Sequence, residues 1–154
     1  MESHAGQFMD RHFTLAQARA LLPEIVEHLR VAVHLKQEHE GLEGELQSVT
    51  RRIAVMGGMV VNRQQLQSQR TRLDALVSRL REVIEEIHDT GCQVKDLDMG
   101  LIDFPSYYRG QEVLLCFKLG ETDIAFWHGL EEGFRGRKPI DQDFLDHHKG
   151  DRLD

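Results

Sequence analysis

Asp103 and His128 are the two side chains in this sequence best placed to do chemistry together. Each sits in a short apolar run, "GLIDF" and "DIAFWH", whose alternation signals a strand. A third run, "EVLLCFKL", lies between them. Pairing Leu119 with Thr122 sets Phe117 against Ile124, Leu115 against Phe126 and Val113 against His128. Pairing Phe104 with Glu112 sets Asp103 against Val113. Asp103, Val113 and His128 then form one row on one apolar face, expected beneath the helices. A carboxylate and an imidazole in that row could hold a divalent metal or act as an acid–base pair. They would stand two strand spacings apart, about 9–10 Å, so a water, a metal or a third ligand must bridge them. The plainer reading is that Asp103 caps a turn or holds His128, and both are merely satisfied.

Further ligands could come from the helices. His28 is expected opposite Ile87, beside Glu86, with Glu24 one turn before it. Together with Asp103 and His128 these residues would suit Zn, Mn or Fe. Surface ion pairing explains Glu24 and Glu86 more cheaply. Glu85 and His88 have the spacing of bridging ligands in di-metal bundles but are expected to point outward. Cys116 has core-type neighbours and no base adjacent in sequence, so it reads as a packed thiol. Tyr107 and Tyr108 are expected in a turn. No glycine-rich phosphate loop, nucleophile elbow or zinc-ribbon spacing is present.

These residues must be positioned by two kinds of element. Thr14 and Gln17 have the spacing of a capping box, with Phe13 and Ala18 as its staple. Pro23 then predicts a kink or restart. An apolar series follows through Leu22, Ile25, Leu29, Ala32, Leu35, His39, Leu42, Leu46, Val49 and Ile53. A second runs through Leu66, Gln69, Leu73, Leu76, Leu80, Val83 and Ile87. The steps of 3 and 4 are those of a coiled-coil seam. Folding the chain back between Gly57 and Gly58 matches six consecutive layers, from Val49–Leu66 to Ala32–Val83. This predicts an antiparallel helical hairpin with "GGMVVN" at its tip and Asn62 capping the second helix. Arms of about 28–32 residues would reach over about 40 Å. One seam buries one stripe, and Val26, Val33, Val77 and Ile84 widen it, so a homodimer is expected. After Gly91 the period falls to 2, predicting an antiparallel meander with "CQVKD" as a candidate further short strand, "LGETD" as a tight turn and "PSYYRG" as a longer one. The tail reads as loop with one short helix around Phe144.

The chain carries a formal charge of −7, with 40% hydrophobic and 29% charged residues, so bulk charge does not favour a polyanion. The charge is unevenly placed. Arg51, Arg52, Arg63, Arg70 and Arg72 lie between Leu46 and Leu73 with no acid among them, and everything outside 48–81 carries roughly −13. The mirror rule pairs Glu45 with Arg70 and Glu43 with Arg72, leaving Arg51, Arg52 and Arg63 with Met56, Met59, Val60 and Val61 as a basic, partly apolar tip. That tip could meet a second subunit, another protein or, least favoured, nucleic acid. Two cysteines, Cys92 and Cys116, form neither a metal spacing nor a disulfide framework. That count, with no signal-type start and no long apolar span, leads to an expected cytoplasmic location and no membrane insertion.

"GLIDFP", "GQEVLLCFKLGE", "FWH" and "GFRGRKPI", with the opening "FTLAQARALLP", resemble a family of short prokaryotic proteins catalogued only as a domain of unknown function. The likeness covers most of 13–140, and its specific part is 100–140. Gln17 stands where the family pattern suggests Glu, and Phe117 where it suggests Trp. The resemblance implies a shared fold and no activity. The expected whole is α+β: a flexible stretch at 1–12, one domain at 13–140 (hairpin 13–90, sheet 91–130) and an acidic tail at 141–154. Three functions follow: an assembly or binding module acting through the hairpin, a metal-binding protein or metal-dependent enzyme with its site where hairpin meets sheet, or nucleic-acid binding at the tip.

Overall fold

The computed structural model describes residues 11–56 and 63–151. Helix α1 (Leu15–Met56) begins at the capping box: Thr14 N–H donates to Gln17 Oε1 at 2.9 Å, and Gln17 N–H donates to Thr14 Oγ1 at 3.1 Å. Phe13 and Ala18 are both fully buried. The next amide, Leu15 N–H, donates to His148 Nε2 at 3.0 Å, which satisfies another unpaired donor of the first turn. Pro23 does not restart the helix, which runs on through Met56. Leu22, Ile25 and Leu29 are buried on both sides of it, so packing offsets the one hydrogen bond that proline removes.

Helix α2 (Arg63–Asp89) returns along α1. The seam keeps its predicted positions. Ala32, Val83 and Ile87 are buried at the base, while Leu35, His39, Leu42, Leu46, Val49, Ile53, Leu66, Gln69, Leu73, Leu76 and Leu80 are half-buried along the arms. The predicted cross-hairpin ion pairs are corrected: Arg72 reaches Glu38 at 3.5 Å, and Glu43 and Glu45 are exposed. The reason is the side of the seam. Taking Leu35 and Leu73 as seam positions d and a, Arg72 and Glu38 both occupy g, whereas Glu43 occupies e. By the same count Arg52 and Arg63 flank the seam on opposite sides. The tip segment, including Met59, Val60 and the predicted cap Asn62, lies outside the described residues.

The remainder is a six-stranded antiparallel sheet. Its strands are β1 (Gln93–Asp96), β2 (Leu101–Tyr108), β3 (Gln111–Lys118), β4 (Phe126–Gly129), β5 (Lys138–Pro139) and β6 (His148–Lys149), and helix α3 (Gln142–His147) precedes β6. Strands β1 to β5 lie in sequence order, and β6 pairs with β2. The predicted "PSYYRG" turn is shorter than expected. Strand β2 continues through Tyr108, and the chain reverses over Arg109 (φ 50°) and Gly110 (φ 81°), the backbone of a two-residue hairpin turn. Pro105 sits within β2 at no cost to the β2–β3 ladder, because its nitrogen faces the other edge, where its carbonyl accepts from Phe13 N–H at 2.7 Å. Ile102, Phe104, Val113, Leu115 and Phe117 form one core with Phe13, Ile25, Leu29, Ile87 and Phe144. Both ends of the described chain dock on this body. His12 is buried, 3.0 Å from Glu112 and stacked on Tyr107, and Tyr108 packs on Trp127 and Phe144.

One seam residue lacks a partner: Gln69 Oε1 is buried and accepts no hydrogen bond among the described residues. Gln69→Leu should therefore stabilise the protein by about 1–2 kcal/mol in urea unfolding, because an unsatisfied buried acceptor is removed. An unchanged or lower midpoint would show that this oxygen is satisfied.

Candidate functional site

The strand registers differ from those expected, and the difference builds the site. Asp103 pairs with Cys116 rather than Val113, and His128 pairs with Leu114 rather than Val113. Side chains alternate faces along a strand, so an odd shift moves a residue to the opposite face. Both shifts are odd. Asp103 and His128 therefore stay together but move to the face away from the helices, where Cys116 joins them in place of Val113. Gly100 (φ 67°) helps hold this end of the ladder: Leu119 N–H donates to its carbonyl at 2.8 Å, and a side chain there would meet Leu119 at 2.6 Å.

Asp103, Cys116 and His128 are all buried, and their candidate ligand atoms lie within 4.8 Å of one another. His128 Nε2 stands 3.3 Å from each carboxylate oxygen of Asp103. The predicted row, with its bridging gap, is replaced by direct contact across β3. On the other side of the ring His128 Nδ1 lies 2.8 Å from the carbonyl oxygen of Gly129. A carbonyl only accepts, so Nδ1 carries a hydrogen. The neutral ring would then turn the lone pair of Nε2 toward a carboxylate. Two acceptors cannot face each other unaided: a proton or a metal cation must lie between them. With a proton there, the hydrogen bond to Asp103, and next the contact with Cys116, push the His128 pKa up to about 10.

The segment after β4 buttresses this arrangement. Gly129 N–H donates to Glu132 Oε1 at 2.6 Å, Glu132 N–H returns to the Gly129 carbonyl at 3.2 Å, and Lys138 pairs with Glu132. Arg137 is clamped between the Phe126 and Phe134 rings, with its charged carbon 4.0 and 4.4 Å from their centres. It pairs with Glu121 at 2.6 Å and places a second N–H 3.9 Å from Cys116 Sγ. A cavity of about 180 Å³ opens beside the three residues, walled by Leu101, Leu114, Leu130 and Phe134, with Lys95 also lining it.

The other predicted ligands are not brought here. Glu24 and Glu86 are exposed and His28 is half-buried, all on helices packed against the opposite face of the sheet. His88 Nε2 accepts from Val94 N–H at 3.2 Å. Arg51, Arg52 and Arg63 are exposed on the hairpin arm. Cys116 and Arg137 are the site residues that sequence reasoning missed. "RG" read as a two-residue turn would have set Cys116 opposite Asp103. Cys92, by contrast, is a core thiol whose pKa burial pushes up, helped by the nearby Asp103 carboxylate.

The raised His128 pKa has a definite sign in stability. The folded protein holds this proton more tightly than the unfolded chain, so the contribution is complete below pH 6.5 and fades as pH rises toward 10. With chelator present, unfolding between pH 6 and 10 should show wild-type stability falling across that window, and Asp103→Asn should flatten the fall. Equal slopes would detach the shift from Asp103.

No helix among the described residues is long and apolar enough to cross a membrane. No curated protein matches the sequence, and no solved structure does. The sequence model of an uncharacterised conserved protein family, DUF2203, matches residues 11–140, which take in both arms of the hairpin, the sheet through β5 and all three clustered side chains. The chain belongs to that family.

Proposed function

We propose that this protein binds one divalent transition-metal ion through Asp103, Cys116 and His128. The observation that carries this reading is the 3.3 Å separation of His128 Nε2 from the Asp103 oxygens. A charge-assisted N–H···O bond is usually shorter, about 2.7–2.9 Å. Two ligands each about 2.0 Å from a tetrahedral zinc ion stand about 3.3 Å apart. The Nδ1–H bond to the Gly129 carbonyl supports it independently, since it is the outer contact that metal-binding histidines make to fix their tautomer. Thiolate, imidazole and carboxylate together favour zinc over manganese. Three protein ligands leave a fourth position for water or a ligand atom, which is the pattern of reactive rather than purely structural zinc sites. The adjoining cavity would admit only a small, mostly apolar ligand.

Assembly through the helical hairpin is a second, separate reading. Its support is that no residue of 33–55 or 63–82 is buried.

Elemental analysis after zinc loading and desalting tests the metal reading. Wild type should retain about one zinc per chain. Cys116→Ser and His128→Ala should retain little, with their fold checked by circular dichroism and thermal melting. Wild type without zinc, or folded variants that keep it, would overturn the reading and leave a proton-bridged Asp103–His128 pair.

A further inference from the structure

Helix α2 carries its charges the wrong way round for its own dipole. Its first eleven residues, Arg63 to Leu73, hold Arg63, Arg70 and Arg72 with no acid, and its end holds Glu82, Glu85, Glu86 and Asp89 with no lysine or arginine. A helix is stabilised by acids at its N-terminus and bases at its C-terminus. Helix α1 does not correct this at the tip, where it adds Arg51 and Arg52. Something else must make this pattern favourable.

We infer that α2 packs antiparallel against α2 of a second copy of this chain, about a two-fold axis beside Val77. Antiparallel contact sets the basic half of each helix on the acidic half of the other, whereas parallel contact would set like charge on like. Val77 is a large apolar side chain left 37% exposed in mid-helix. It lies on the flank of the seam that also carries Arg63, Arg70 and Ile84 at seven-residue spacing. Asp74 and Arg81 sit on the neighbouring stripe, equally far on either side of an axis that passes between Val77 and Ser78, and Arg70 and Glu85 are likewise equally far from it. All four are exposed, and none has an ion-pair partner among the described residues. An axis there brings Asp74 of each copy to Arg81 of the other and Arg70 to Glu85, with the two Val77 side chains meeting at the centre. Within one helix the available pairs four residues apart, Arg70–Asp74 and Arg81–Glu85, have the less favourable order of base before acid. An isologous contact doubles every pair it makes, so modest surface pairs add up. The bare arms need such cover, since no residue of 33–55 or 63–82 is buried.

Two measurements on the full chain test this inference. Sedimentation of wild type should give a dimer that weakens with added salt. Asp74→Arg alone should weaken it about tenfold, because two pairs become two repulsions, and adding Arg81→Asp should restore it. In mild oxidation Val77→Cys should form a covalent dimer, and Arg63→Cys at the far end should not. The buried native cysteines serve as the wild-type background. A monomer at high micromolar concentration would overturn the inference. So would a dimer in which the double exchange gives no rescue, or one cross-linked through Arg63→Cys and not through Val77→Cys.

Discussion

The hydrogen-bonded ladder between β2 and β3, closed by Arg109 and Gly110, is the constraint on which the rest of this structure depends. Eight residue pairs run from Leu101–Lys118 to Tyr108–Gln111. Each pair commits one side chain from each strand to the same face. Ile102, Phe104, Leu115 and Phe117 go to the face that meets the helices, and Asp103 and Cys116 go to the other. A slip of one residue would bury the carboxylate among core phenylalanines and turn those rings away from the core. Core energetics therefore hold the site's geometry, although the site lies outside the core.

That division explains how a buried carboxylate, imidazole and thiol coexist with a well-packed interior. Polar groups out of water need partners, and these have them at short range: His128 to Asp103 and the Gly129 carbonyl, Cys116 to Arg137, Arg137 to Glu121. The covering segment 129–137 provides part of the cavity wall, through Leu130, Gly133 and Phe134, and the supporting contacts. Its aromatic clamp fixes the Arg137 guanidinium beside the Cys116 sulfur.

The hairpin obeys a different economy. Its base shares the sheet's core, whereas no residue of 33–55 or 63–82 is buried. Apolar residues recurring at steps of 3 and 4 made the arms and their antiparallel return legible in advance, because seam periodicity is a local property of each helix. The same reasoning failed for the ion pairs. Pairing by level alone ignores that e and g positions lie on opposite sides of a seam, so Arg72 meets Glu38 and not Glu43.

Sequence alone determined the elements of this protein: the capping box at Thr14 and Gln17, the seam, the change to period 2 after Gly91, and the short helix around Phe144. It also singled out Asp103 and His128, as polar residues inside apolar strands. Only the tertiary structure decided how those strands register. The local pattern of alternation is nearly unchanged when a strand slides, and the turn that stops the sliding was two residues long rather than six. With that register came Cys116 as the third group, the face on which the site lies, and the separation of Glu24, His28 and Glu86 from it. Period and capping are written within a few residues of chain. Proximity across three strands depends on the summed packing of the whole sheet.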